Sequence, residues 1–150
     1  MVTAMLVVAH AGVAALWLGA MAYSLVVVQP RLARMLTDPA RVEDAQRELA
    51  RGNRWPVLGL IGVLWLTGIG LVATGTGGGG GWWWAAVAGK AALLAAATGV
   101  FWWVSWRAWP RRVFALPAEL PVLQRRFRAA ALAMLALVGA GFVLGAVAGS

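Results

Sequence analysis

The sequence predicts an all-α integral membrane protein: a single domain over residues 1–150, built as an up-down bundle of four transmembrane helices with both termini extracytoplasmic. Three observations predict it. The chain is 62% hydrophobic and 12% charged, with mean hydropathy +0.79, whereas a water-soluble domain carries about 25% charged residues. Its first 29 residues, Met1 to Gln29, hold no Asp, Glu, Lys or Arg, and roughly 20 apolar residues suffice for a helix to cross the hydrocarbon core of a bilayer. Every arginine lies in one of two segments between such uncharged runs. In that placement the net charge of +8 is a topology signal, and no nucleic-acid partner is expected. Cysteine is absent, which excludes disulfides, thiolate metal sites and cysteine nucleophiles. The N-terminus lacks a basic n-region, and its apolar run is about twice a typical h-region, so a cleaved signal peptide is not expected.

The first span is expected at about 4–28. Pro30 cannot continue the helical ladder and Arg31 cannot stay in hydrocarbon, which sets the membrane boundary there. Asp38 and Pro39 then read as an N-cap followed by a first helical residue, with Gly52 as the stop. The helix between them, about 39–51, carries a narrow apolar stripe of Val42, Ala45 and Leu49, and an i,i+4 pair of Glu43 with Arg47. It is expected to lie on the membrane surface as a solvated connector, packed lightly on headgroups. A second span at about 55–75 begins at Trp55 and carries Gly59, Gly62, Gly68 and Gly70, small residues that let helices approach closely. Thr74 to Gly81 form a glycine-rich turn; no Lys-Ser/Thr pair follows it, so it is not a phosphate loop. The third span, about 83–106, has tryptophans at both ends, Trp82 to Trp84 and Trp102, Trp103 and Trp106, as an aromatic belt requires. A connector rich in arginine leads to the fourth span at about 129–149, with Gly141 and Gly145 in small-xxx-small spacing. No long internal repeat is evident.

Six arginines in each of the connectors 29–54 and 107–128 place both connectors in the cytoplasm and the chain in the cytoplasmic membrane, by the positive-inside rule. Depth then follows from helical rise. His10, the single histidine, falls roughly 9 Å below the outer end of span one, and Lys90, the single lysine, roughly 10 Å below that of span three. Two ionisable groups therefore share one intramembrane layer, where such groups are costly and mark function.

A neutral imidazole ligates heme iron, copper or zinc, and a nearby ammonium favours that neutral form. Lys90 can also pair with an anionic group such as a heme propionate. His10, Ala14, Trp17, Met21 and Ser24 recur at helical spacing, so one face of span one joins the ligand to an aromatic wall suited to a flat macrocycle. The alternative is purely structural: His10 hydrogen-bonds a neighbouring helix and Lys90 snorkels to the interface.

The run AHAGVAALWLGAMAYSLVVVQPRL, with His10, Trp17, Gly19 and Pro30, resembles the first helix of CopD-type copper-resistance membrane domains and of the related HemJ-type protoporphyrinogen oxidases. Tyr23 suits the HemJ version. Trp84 to Leu94, with Lys90, resembles the third helix of both. The resemblance implies a four-helix bundle and, from the HemJ side, heme b bound with help from His10 and Lys90. The chain departs from HemJ where that family has further histidines and an Asn-Glu-Val-Pro-like entry to the last helix: here stand Pro30-Arg31-Leu32, Ala97-Thr98-Gly99 and Arg128-Ala129-Ala130. It also lacks the acid that CopD-type domains often place in the last helix.

Other chemistry fits less well. Copper(I) favours thioether and imidazole, but of the methionines only Met1 and Met5 approach the depth of His10, and Met21 lies about 16 Å deeper. One histidine excludes bis-histidine heme ligation within a single chain. The acids Asp38, Glu43, Asp44, Glu48 and Glu119 all fall in connectors, so no intramembrane carboxylate pair or triad exists. Zinc needs three or four ligands. The leading expectation is a redox protein binding heme b in the outer half of the bundle, with His10 as metal ligand and Lys90, Trp17 and Met21 around the cofactor. Copper transport or resistance is one alternative. A non-catalytic accessory subunit of a larger membrane complex is the other, with the lipid bilayer and a homo-oligomer or complex as partners.

Overall fold

A computed structural model describes residues 1–75 and 80–148 of the chain. The described residues form helices and turns, with no strand among them. Four helical stretches are long and apolar enough to cross a membrane: Val2–Met35, Arg54–Ala73, Gly81–Val113 and Leu120–Ala148. The first consists of α1 (Val2–Tyr23), one π-helical turn (Ser24–Val28) and α2 (Gln29–Met35). The amphipathic helix α3 (Pro39–Ala50) and the second long helix α4 (Arg54–Ala73) follow. The third stretch repeats the pattern of the first: α5 (Gly81–Trp103), a π-helical turn (Val104–Ala108) and α6 (Trp109–Val113). The last is α7 (Leu120–Ala148). Residues 76–79 of the expected glycine turn and residue 149, the last of the expected fourth span, lie outside the described residues, as does residue 150.

The expected break at Pro30 does not occur. A proline inside a helix has no N–H to give and its ring presses on the carbonyl four residues back. The chain answers by widening one turn: the Gln29 N–H bonds the Ser24 carbonyl, five residues back. Trp109 bonds Val104 in the same way just ahead of Pro110. Both helices thereby pass their prolines and carry Arg31, Arg34, Arg111 and Arg112 onward in helical register. At the other end of the second hairpin, α7 begins at Leu120, so Arg125, Arg126 and Arg128 stand on the helix and not in a loop before it.

α1 packs on α4, α5 on α7, and α1 on α7. Glycines set the close contacts: Leu6 lies over Gly70 and His10 over Gly68, while Leu93 faces Gly141 and Lys90 faces Gly145. Rising numbers on one helix meet falling numbers on the other, so both hairpins are antiparallel. A methyl on Gly70 would stand 3.3 Å from Leu6 Cδ1, and one on Gly89 3.2 Å from Leu144 Cδ2. Gly59 and Gly62, expected to serve the same purpose, face open space. α4 and α5 are linked by Trp65 Nε1 donating to Thr98 Oγ1 at 3.4 Å. The four long helices meet in one core of Trp17, Ile61, Leu64, Ala97, Phe101 and Val138. Many of their other apolar residues point outward, Leu66 and Val8 being 73% and 72% exposed, as lipid-facing surfaces require.

Candidate functional site

His10 sits in the α1/α4 interface, towards the end of the bundle away from the arginines. Its Nδ1 lies 2.7 Å from Thr67 Oγ1. Thr67 is buried, and its hydroxyl already donates to the Val63 carbonyl at 2.6 Å, the bond four residues back that a helical threonine makes readily. A hydroxyl has one proton, so towards His10 Thr67 acts as the acceptor and Nδ1 carries the ring proton. In the neutral imidazole Nε2 is then the nitrogen with the free lone pair. A second group fixing the tautomer of a ligating histidine in this way is the usual arrangement at metal sites.

Lys90 faces Gly145, its Nζ 3.6 Å from where a methyl on that glycine would stand. α1 and α5 do not form one of the main helix interfaces. The other two expected cofactor residues lie elsewhere. Trp17 is 3% exposed in the central core, and Met21 packs on the edge of that core. Both border a cleft of about 1210 Å³ that opens towards the arginine-bearing end. The face His10–Trp17–Met21 is one stripe of α1, but at 1.5 Å per residue it spans about 16 Å of depth and so crosses three environments. Among the described residues no cluster of three His, Asp or Glu side chains could hold a metal ion.

Thr67 was not anticipated. The signal was there: it is the one hydroxyl residue between Trp55 and Ala73, and it lies roughly 9 Å from the α4 end, the depth expected for His10.

At the opposite end the structure corrects the picture of α3 as a lightly held surface helix. Asp38 does cap it, accepting from the Ala40 N–H at 3.0 Å, and Gly52 does end the turn after it with φ +76°. Glu43, however, is 2% exposed. Arg112 grips both its oxygens, Nε to Oε1 and Nη2 to Oε2, each at 2.8 Å. Arg47 donates to Oε1 at 3.0 Å and Gln124 to Oε2 at 2.9 Å. Arg112 also donates to Gln46, and its guanidinium lies over the Phe127 ring. Burial pushes the Glu43 carboxyl up, but the hydrogen bonds from Arg112 and Gln124 and the charges of Arg112 and Arg47 outweigh it and hold the pKa at about 2. The i,i+4 pair seen in the sequence is real, yet the principal partner lies 69 residues away, where no local rule looks.

Comparison with models of protein families, with curated proteins and with solved structures yields no match.

Proposed function

We propose that this is a CopD/HemJ-like protein of the cytoplasmic membrane that binds heme b in the outer half of the bundle for a redox role, with His10 as the iron ligand. The arginine-bearing connectors face the cytoplasm and both termini face outward, the orientation favoured by the positive-inside rule. The observation that carries the reading is the His10–Thr67 contact of 2.7 Å, which leaves the Nε2 lone pair available. If heme is bound, His10 would be the residue that ligates its iron and Lys90 the cation that would pair with a propionate. Heme supplies one-electron chemistry when bound, and its potential is set by the axial ligand and its hydrogen bonding. The chain's own part is to hold the ring, keep Nδ1 protonated and exclude water with the apolar side chains of four helices.

The test is an absorption spectrum of the purified protein before and after hemin addition. A Soret band is expected in the wild type and its loss in His10→Ala; a wild type without the band overturns the reading. Copper handling is the second reading, favoured by the same lone pair. It needs further ligands from another subunit, because Met5 is 68% exposed and Met21 lies at the core. Equal copper content in wild type and His10→Ala removes it. Stoichiometric partners retained in mild detergent, with no heme or copper in either form, point to an accessory subunit of a larger complex instead.

A further inference from the structure

The cleft at the arginine-bearing end takes no part in the His10 layer. At about 1210 Å³ it exceeds the roughly 300–1,000 Å³ that houses a drug-sized ligand. Its apolar wall is formed by the partly exposed Met21, Val28, Leu32 and Met134, with the buried Trp17 and Phe101 also bordering it. Six arginines also line it, Arg47, Arg51, Arg54, Arg112, Arg125 and Arg128, against two acids, Asp44 and Glu48. The charges do not cancel. Arg47 and Arg112 are taken up by Glu43, and Arg51 pairs with Glu48 at 3.4 Å on the exposed lip. Arg54 is fixed with its guanidinium over the Trp106 ring and donates to the Ser105 carbonyl. Arg125 and Arg128, one turn apart on α7, have no ionic or hydrogen-bonded partner among the described residues. They stand on one helix face.

We propose that this cleft binds one anionic phospholipid, its phosphate held by Arg125 and Arg128 and its acyl chains laid against Met21, Val28 and Met134. The gradient from cationic rim to apolar wall matches a molecule that is anionic at one end and hydrocarbon at the other. Basic pockets between transmembrane helices at the membrane surface hold acidic headgroups for this reason. Guanidinium forks suit phosphate oxygens bidentately. Trp55 and Trp109 line the same cleft and belong at headgroup level. A free phosphate would satisfy the arginines but leave the apolar wall against water, which is why the wall selects a lipid.

The experiment follows melting of the detergent-solubilised protein by tryptophan fluorescence during titration with dioleoylphosphatidylglycerol, dioleoylphosphatidylcholine or inorganic phosphate. The melting temperature is expected to rise with the first and to rise little or not at all with the other two at equal concentration. This comparison uses the wild type and does not depend on any variant folding. Arg125→Gln and Arg128→Gln are each expected to weaken the phosphatidylglycerol response roughly fivefold. Arg126→Gln, which removes the same charge from the same helix but does not line the cleft, leaves the response unchanged. Equal responses to the two lipids, a response reproduced by phosphate alone, or an Arg126→Gln effect as large as the others overturns the proposal.

Discussion

Replacing Glu43 by glutamine should release α3 from the bundle, because the carboxylate is where three elements are joined. α3 contributes Glu43, Gln46 and Arg47, α6 contributes Arg112, and α7 contributes Gln124. With its pKa held at about 2 against an ordinary 4.5, the ionised carboxyl contributes about 3 kcal/mol, at 1.36 kcal/mol per pKa unit. The folded pKa lies below the unfolded one. The contribution is therefore fully present above about pH 4.5 and is lost as pH falls through the window down to about 2. Hydrogen–deuterium exchange of residues 39–50, expressed as protection factors so that intrinsic exchange rates cancel, reads this directly. Wild-type protection should be flat from pH 7 to 5 and fall below that. Glu43→Gln should lose roughly 100-fold in protection at pH 7, the factor that about 3 kcal/mol represents, and show little further loss on acidification. Wild-type protection in Glu43→Gln at neutral pH, or an unchanged acid profile, would refute the assignment of Glu43 as the tether.

Thr67→Val keeps the shape of the side chain and removes the acceptor at His10 Nδ1; if His10 is a heme ligand, hemin affinity measured by the Soret titration should fall 10–100-fold. Trp17→Ala should cost about 3–5 kcal/mol of stability in a thermal or denaturant melt while leaving the spectrum of any bound heme in place, since Trp17 belongs to the core and not to the His10 layer. Arg112→Lys retains the charge but cannot grip both Glu43 oxygens from a planar fork, so α3 should exchange faster than in the wild type in the same measurement.

The four helices were legible because apolar runs of 20 or more residues, with Lys90 the one charge inside any of them, have one economical fate in a bilayer, where every backbone polar group must be satisfied within the helix. Their ends were not. Pro30 reads as a stop under the rule that proline breaks the ladder, and the chain evades the rule with one π-helical turn, whose only local signature is the proline itself. Asp38 and Gly52 were legible because capping acts over two or three residues. Glu43 was read as half of an exposed pair because the groups that bury it lie 69 and 81 residues along the chain. The His10 face was assembled correctly as a stripe but not as a site: periodicity fixes direction around a helix and says nothing of how deep each residue lies.

His10 and Lys90 occupy equivalent positions relative to the two proline exits, which is the origin of the common depth expected from the sequence. The π-helical turn of the first long helix begins at Ser24, 24 − 10 = 14 residues after His10; that of the third begins at Val104, 104 − 90 = 14 residues after Lys90. Pro30 and Pro110 follow six residues later in each, and an arginine comes next. Each ionisable residue then packs over a glycine of the helix that follows, His10 over Gly68 and Lys90 over Gly145. Two helices built to one plan and anchored by the same Pro-Arg exit carry equivalent positions to the same level. The common depth is thus a property of the repeated architecture and would hold for any pair of residues so spaced. What the architecture does not dictate is the chemistry: an imidazole at one position, an ammonium at its counterpart, and Thr67 beside the imidazole alone, since Thr67 serves His10 through α4 while Lys90 meets the bare backbone of Gly145. That asymmetry, and not the shared level, is what the proposal of His10 as a ligand rests on.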